Sequence, residues 1–321
     1  MKVKWLISML NKIQQPILIT GASGFIGSNL LRFFVSKNIR VNIILRKKSS
    51  IWRIKDIIDK TKIFYADLRE KENLSNVIRK IKPKSIFHLS AYGAYSHQNQ
   101  VELIKSSILD STVNLINECK KYKFNIFINT GSNSEYGFRK EKMNENDLVR
   151  PNSDYALFKA ASTLFCQQES IANGLPIITV RPFHVYGPYE EPTRLIPTLI
   201  RNLLKNKDSR LVSPDIARDL IFIDDAINLY LKIASKPNVN GDIFNIGTGK
   251  QRTIKEIYSN LNKLLNCNIK PKWNSMKRRR WDQKIWKADM SKVKKKFDWK
   301  PKHNLIQGLT KTISWHKKFY N

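Results

Sequence analysis

The sequence is poor in cysteine, in acidic side chains and in long apolar runs, and each shortage excludes something. Three cysteines stand among 321 residues, Cys119, Cys166 and Cys267, odd in number and far apart. A disulfide framework or a metal knuckle needs closer, paired thiols, so neither is expected, and no metal site is expected at all. Free thiols suit a reducing cytoplasm. No apolar run approaches the roughly 18 residues that a membrane-spanning helix needs, so membrane insertion is not expected. Met1 to Ile13 carries basic residues and a short apolar patch from Trp5 to Leu10. It has neither a long apolar core nor a small-residue cleavage site, and does not read as a secretion signal. Internal repeats and low-complexity linkers are also missing.

Acids are outnumbered: 26 Asp and Glu against 58 Lys and Arg leave a net charge of +32. Such an excess suits nucleic acid or an anionic membrane surface. No helix-turn-helix, zinc or base-stacking motif accompanies it, so no specific nucleic-acid partner is expected. A Lys- and Asn-rich composition together with an acidic substrate accounts for the charge. Lys292, Lys294, Lys295, Lys296, Lys300 and Lys302 crowd the C-terminal region, and read first as a solvated helix face.

What is present is a rhythm. Short β-rich apolar runs at Pro16–Thr20, Val41–Leu45, Ile63–Ala66, Ser85–Leu89, Asn125–Thr130 and Pro176–Arg181 alternate with helix-length segments. Continuous apolar strands, each followed by a helix, predict an α/β fold whose parallel sheet is covered on both faces. Beyond Gly187 the rhythm breaks, and Pro188, Pro192, Pro197 and Pro214 punctuate the chain. The expected organisation is a dinucleotide-binding Rossmann domain over residues 1–187. A smaller C-terminal lobe over 188–321 would bind substrate, with elements around 218–250 returning to the first domain.

Two motifs carry chemistry. The first strand runs into Gly21-Ala22-Ser23-Gly24-Phe25-Ile26-Gly27 and then a helical stretch. A glycine turn between strand and helix lets backbone approach a pyrophosphate, which then sits on the helix N-terminus. Gly21 suits the tight turn, Gly24 the close approach and Gly27 the helix–strand contact, while Phe25 and Ile26 open the apolar helix face. Arg46 follows the second strand, 19 residues after Gly27, where an NAD-preferring enzyme places a ribose-reading acid. A cation there, followed by Lys47, Lys48, Ser49 and Ser50, suits the 2′-phosphate of NADP, although it is also ordinary surface charge for so basic a chain. Asp67, after the third strand, either faces the adenine amine or is a plain turn residue.

The second motif is Tyr155-Ala-Leu-Phe-Lys159, which puts phenol and ammonium on one helical face, one turn apart. A neighbouring ammonium favours the phenolate of a group that otherwise titrates near 10. Such a tyrosine can exchange a proton with a sugar oxygen. Upstream, Asn125–Thr130 ends in Gly131-Ser132-Asn133-Ser134-Glu135-Tyr136-Gly137, where Ser132 can hold the same oxygen.

Together these marks resemble the extended short-chain dehydrogenase/reductase family of nucleotide-sugar epimerases, dehydratases and reductases. The resemblance spans nearly the whole chain. It includes Ala66-Asp67-Leu68, His88-Leu89-Ser90-Ala91, Arg181-Pro-Phe-His-Val-Tyr-Gly-Pro188, Arg218-Asp-Leu-Ile-Phe-Ile-Asp-Asp225 and Phe244-Asn-Ile-Gly-Thr-Gly249. It implies that Ser132, Tyr155 and Lys159 are catalytic. Gly21, Gly24, Phe25, Ile26, Gly27, Arg46, Asp67, Leu68 and Ala91 would line the cofactor with Tyr155 and Lys159. It assigns Ser132, His184, Leu195, Ile196, Arg218 and Arg279 to a nucleotide-diphosphate sugar; Arg278 and Arg280 flank the last. His184 departs from the family, which usually has Asn there. It would bond a phosphate or sugar oxygen, fill a core contact, or donate a proton. A homodimer is expected.

Three reactions compete. A 4,6-dehydratase of this family carries an Asp-Glu pair directly after the catalytic hydroxyl; here stand Asn133 and Ser134, with Glu135 one residue late. A 4-epimerase holds NAD tightly, and Arg46 leans against NAD. A 4-ketoreductase uses NADPH and needs only Ser132, Tyr155 and Lys159. The run Asn133–Tyr136, and Asp282-Gln283-Lys284 followed by Trp286, resemble CDP-3,6-dideoxyhexose synthases, which are 4-ketoreductases. The sequence therefore predicts NADPH-dependent reduction of a nucleotide-linked 4-keto-6-deoxy sugar for surface polysaccharide. The alternative is a 4-epimerase with bound NAD. A non-catalytic dinucleotide sensor is less favoured, because such relatives lose the Tyr/Lys pair.

Overall fold

The computed structural model describes residues 8–95, 97–236, 241–276 and 285–320. All six apolar runs pair as parallel strands of one sheet. β1 (Ile17–Thr20) lies between β2 (Val41–Leu45) and β4 (Ser85–His88), with Ile17 opposite both Val41 and Ser85. β3 (Lys62–Tyr65) flanks β2, β5 (Ile126–Thr130) flanks β4, and β6 (Ile177–Pro182) flanks β5. A seventh strand, β9 (Ile243–Ile246), closes the order β3-β2-β1-β4-β5-β6-β9. This is the Rossmann-type doubly wound α/β fold that the sequence predicts. Its order reverses between β1 and β4, and ligands of such sheets bind beyond the strand C-termini at that reversal.

Helices cover the sheet because their apolar spacing demands it. α1 (Phe25–Ser36) buries Gly27, Leu30, Leu31 and Phe34, the i, i+3, i+4, i+7 stripe of a helix lying on a core. The Phe34 ring meets Phe87 of β4 at 5.7 Å. In another cluster α2 (Lys71–Ile81) packs Leu74, Val77, Ile78 and Ile81 with Leu115, Ile116 and Phe127. α4 (Asp154–Asn173), which carries the Tyr155/Lys159 pair, starts at Ser153, whose hydroxyl accepts from the N–H of Ala156 at 3.3 Å. α3 is the helix Ser111–Cys119.

The chain divides into two compact units that interleave along the sequence. The first takes 1–135, 149–181 and 227–244, and the second takes 136–148, 182–226 and 245–321. Within the second, β7 (His184–Tyr186), β8 (Ala217–Phe222) and β10 (Gln251–Thr253) form a three-stranded sheet in the order β10-β8-β7. Its core includes Tyr136, Met143, Phe183, Trp286 and Ala288. Among the described residues, no helix is long and apolar enough to cross a membrane.

Candidate functional site

In the first unit, the glycines after β1 are set by space. Gly21 has φ +70, and a Cβ there would lie 2.6 Å from the backbone of Leu89 and Ser90, which leave β4. A Cβ on Gly27 would come within 2.2 Å of the Gly21 carbonyl oxygen. The loop is therefore drawn tight against the sheet at its reversal point, with the first turn of α1 following at once. A glycine turn that leads straight into a helix suits a pyrophosphate, which takes the N–H groups of the helix's first turn. Phe25 and Ile26 are half-buried, Ala91 is exposed, and Leu68 belongs to the core. Arg46, Lys47 and Lys48 are exposed beyond β2, and the N–H of Arg46 donates to Ser49 Oγ at 3.1 Å.

Asp67 is held by Arg69, whose Nε and Nη2 donate to its two oxygens at 2.9 and 2.6 Å. That hydrogen-bonded guanidinium keeps the carboxyl below its ordinary range. An adenine amine would have to share the acid with Arg69. Arg53, which the motifs did not single out, is buried and donates to the Ser23 carbonyl at 3.4 Å.

The catalytic candidates meet at the end of β5. Lys159 is buried on α4, and its Nζ donates to the carbonyl of Thr130 at 2.6 Å. The same Nζ lies 5.9 Å from the centre of the Tyr155 ring. Burial pushes the Lys159 ammonium down to about 8, and the Glu135 carboxylate opposes that shift. Thr130 Oγ1 is also 3.0 Å from the Tyr230 hydroxyl. Thus α4 is pinned to the strand that delivers Ser132.

Ser132 has a defined polarity. Its Oγ accepts from the N–H of Ser134 at 3.2 Å and from the Ser134 hydroxyl at 2.8 Å. With both lone-pair directions occupied, the Ser132 proton is left to donate outward. Its own N–H donates to Glu135 Oε1 at 2.7 Å. The other oxygen of Glu135 accepts from Arg181 Nε at 2.7 Å, and the two side chains are 0% and 3% exposed. Neither Glu135 nor Arg181 nor Ser134 was given a role from sequence. Next to them, the side-chain Nδ2 of Asn133 is buried without a hydrogen-bond partner in the structure.

In the second unit Arg218, on β8, has its guanidinium 5.9 Å from the Trp286 ring centre and donates to the Ala217 carbonyl at 2.9 Å. Its neighbour Asp219 turns inward, accepting from the N–H groups of Thr248, Gly249 and Ala288 at 2.8, 2.9 and 3.0 Å. His184 meets the edge of Trp286 at 5.7 Å. Burial, then the charges of Arg218 and Arg194, hold its imidazole well below the usual range, hence neutral at pH 7. A neutral ring does not act as a proton donor of the imidazolium kind. His184 Nδ1 and Trp286 Nε1 are both buried without hydrogen-bond partners in the structure. Leu195 and Ile196 open α5 (Leu195–Leu204), with Ile196 in the core. Arg279, with Arg278 and Arg280, lies outside the described residues.

Residues 17–247 match the NAD dependent epimerase/dehydratase family. The chain belongs to it. It is an enzyme of the extended short-chain dehydrogenase/reductase type that its motifs resemble. A dTDP-D-glucose 4,6-dehydratase of Dictyostelium discoideum is 29% identical over 255 residues, 73% of this chain and 58% of that one. An uncharacterized UDP-glucose epimerase of Bacillus subtilis, YtcB, is 26% identical over 323 residues, covering 95% and 98% of the two chains. Among solved structures, the UDP-glucuronic acid 4-epimerase of Bacillus cereus, in complex with UDP-glucuronic acid and NAD, aligns with TM-score 0.84. It is 26% identical, over 95% of this chain and 99% of that one. The enzyme's relatives thus carry out more than one reaction.

Gly131 tests the packing of the Ser132 loop. A Cβ at that position would sit 2.4 Å from Glu135 Oε1 and 3.1 Å from Thr179 Cγ2. Gly131→Ala is expected to destabilise the enzyme by about 1–3 kcal/mol through overpacking. Urea unfolding checks it, and an unmoved midpoint would show that the loop has slack.

Proposed function

We propose that the enzyme is an NADPH-dependent reductase of a nucleotide-linked 4-keto-6-deoxy sugar, working in the cytoplasm on surface-polysaccharide precursors. The observation that carries this reading is the chemistry of the Ser132 loop. Asn133 cannot ionise, and the Ser134 hydroxyl is committed to Ser132. The nearest carboxylate, Glu135, is fully buried against Arg181. In the Ser132 loop, then, no acid/base pair follows the serine to eliminate water from a sugar. Reduction asks for less.

In this reading Tyr155 gives its phenolic proton to the C4 oxygen, and Ser132 donates a hydrogen bond to the same oxygen. The Lys159 ammonium, tied to Thr130, stabilises the phenolate left behind. The nicotinamide, when bound, supplies the hydride. Gly21, Gly24 and Gly27 cradle the pyrophosphate of the cofactor, and Arg46 with Lys47 and Lys48 pairs with the 2′-phosphate. The second unit is the substrate lobe. There Arg218 and Arg279 hold the sugar nucleotide, and the unpartnered His184 Nδ1 and Trp286 Nε1 find oxygen or N–H partners on it. A second reading, 4-epimerisation with retained NAD, draws on the Bacillus cereus epimerase, whose structure holds NAD.

A homodimer completes the proposal. Leu157, Leu164 and Ile171 are 48%, 56% and 79% exposed and lie seven residues apart along α4, on one stripe. Charged residues on that helix are Asp154, Lys159 and Glu169, and the last two are buried. In a chain of net charge +32, a cation-free apolar stripe suits contact with a second copy, where like charges would otherwise repel. Leu164→Asp should weaken the dimer at least about tenfold for each lost leucine contact. Sedimentation of a wild-type protein that is monomeric at micromolar concentration would refute this.

Tyr155→Phe is expected to lower turnover roughly 10²–10⁴-fold while cofactor affinity, read by titration, changes little. Near-normal turnover removes Tyr155 from the mechanism. The reaction itself is decided by stoichiometry. A reductase purified free of NAD should oxidise one NADPH for each nucleotide-linked 4-keto-6-deoxy sugar reduced, followed in the reduced-nicotinamide absorbance band. Protein that retains NAD and interconverts 4-hydroxyl epimers with no added cofactor would be the epimerase.

A further inference from the structure

We propose that Glu135 is a positioning residue, a buried carboxylate that fixes the Ser132 backbone and presents negative charge to Lys159. This rests on the reading of Ser132, Tyr155 and Lys159 as the catalytic group. A carboxylate fully removed from water is costly unless it is paired and hydrogen-bonded on both oxygens. Glu135 meets that condition in a way that reaches the reacting residues. One oxygen takes the N–H of Ser132 at 2.7 Å, and the other takes Arg181 Nε at 2.7 Å.

The geometry resembles a capping box whose side-chain bond is drawn one residue early, to the N–H of Ser134. Ser132 precedes the helical turn Asn133–Tyr136, its Oγ accepts from the Ser134 N–H, and the residue three positions on reaches back to the Ser132 N–H. Here the capping serine is also the proposed hydrogen-bond donor to substrate. The three residues that lead into the site are each held. Lys159 Nζ donates to the Thr130 carbonyl at 2.6 Å. The Gly131 N–H donates to the Val180 carbonyl at 2.8 Å. Glu135 holds the third. An apolar residue at 135 would leave the Ser132 N–H without its acceptor and Arg181 without its counter-charge.

The second part concerns charge. Lys159 is buried, and its ammonium needs support to survive at neutral pH. The titratable groups that face it are Glu135 from the Ser132 turn, Tyr155 and Cys166 from its own helix, and His88 from β4. Burial pushes the Cys166 thiol up, so it stays neutral. Burial drives the His88 imidazole down to about 3, so it is neutral too. Glu135 is thus the anion among them. Removing it lowers the pH at which Lys159 gives up its proton.

Three variants test this, each with stability read by thermal unfolding. Turnover is measured with NADPH and a nucleotide-linked 4-keto-6-deoxy sugar, and with NAD and a nucleotide hexose. Glu135→Gln keeps an acceptor for the Ser132 N–H but takes the carboxylate charge away from buried Arg181. The pair Glu135→Leu with Arg181→Met removes both charges of this ion pair but also the acceptor. Positioning predicts that stability and turnover rank in opposite orders. Glu135→Gln should be the less stable and the more active, with its alkaline pH limb lowered by roughly one unit. The Leu/Met pair should unfold at the higher temperature, yet lose roughly 10–10²-fold in kcat with KM little changed. A Leu/Met enzyme with wild-type turnover, or activities that simply follow stability, would overturn the proposal. Should the pair fail to fold, the limb of Glu135→Gln decides alone, and an unmoved limb overturns it. Ser132→Ala separates the two levels. If it keeps full turnover, the reading of Ser132 fails whatever Glu135 does. If it loses turnover while the Leu/Met pair does not, only the role of Glu135 fails.

Discussion

The bond on which the first unit's chemistry depends is the one from the Lys159 ammonium to the Thr130 carbonyl. It is buried, charged and 2.6 Å long, and it joins a helix to the end of a strand. Charge-assisted bonds of this kind are stronger than neutral ones and tolerate little displacement. Through it, the face of α4 that carries Tyr155 acquires a fixed register against the strand that delivers Ser132. The cost is a cation out of water, and the surroundings reduce it: a carbonyl to donate to, and a carboxylate at Glu135 to offset the lost hydration.

The same logic governs the glycine loop, with space in place of charge. A sheet whose order reverses between β1 and β4 leaves a crevice at the ends of those strands. Gly21 and Gly27 let the chain turn inside it at separations that no Cβ allows. Strand order makes the crevice, and the missing side chains let the loop pack close against the strand ends that border it. The glycine loop and the Ser132 loop thus both follow strand C-termini of one sheet, β1 for the first and β5 for the second.

Much of this was legible beforehand because it is local. The apolar runs gave strands to within a residue or two: Ile63–Ala66 was expected and Lys62–Tyr65 is observed. The glycine spacing and the Tyr155/Lys159 interval are properties of single segments, and the structure places them on the predicted turn and helix. What escaped is mostly non-local. Arg181 reaches Glu135 across 46 positions, and no periodicity announces such a pair. His184 was open to a proton-donating role, which burial, with the charges of Arg218 and Arg194 from other segments, works against. Asp219, on β8, is held by N–H groups of Thr248, Gly249 and Ala288 from distant segments. Glu135 is the exception, since Ser132-x-x-Glu135 is a capping signature readable in four residues. Comparing it with a dehydratase's acid pair obscured the plainer pattern.

Charge distribution follows from where the acids went. Glu135, Asp219 and Asp225 are buried, and so are Glu145, Glu169 and Asp289. Several of them tie backbone or side chains from distant segments: Asp225 accepts from the N–H groups of Lys302 and His303, and Glu145 from that of Asn245. Buried Lys and Arg among the described residues are Arg53, Lys159 and Arg181. Acids are therefore drawn inward more than bases are, and the surface is more cationic than the composition suggests. Such a surface attracts any polyanion, with a reach of about 8 Å at physiological salt. An attraction of that range speeds the encounter with a phosphorylated ligand but confers no choice among ligands. Choice requires groups fixed at bonding distance, and those lie in the interior, where the acids hold them.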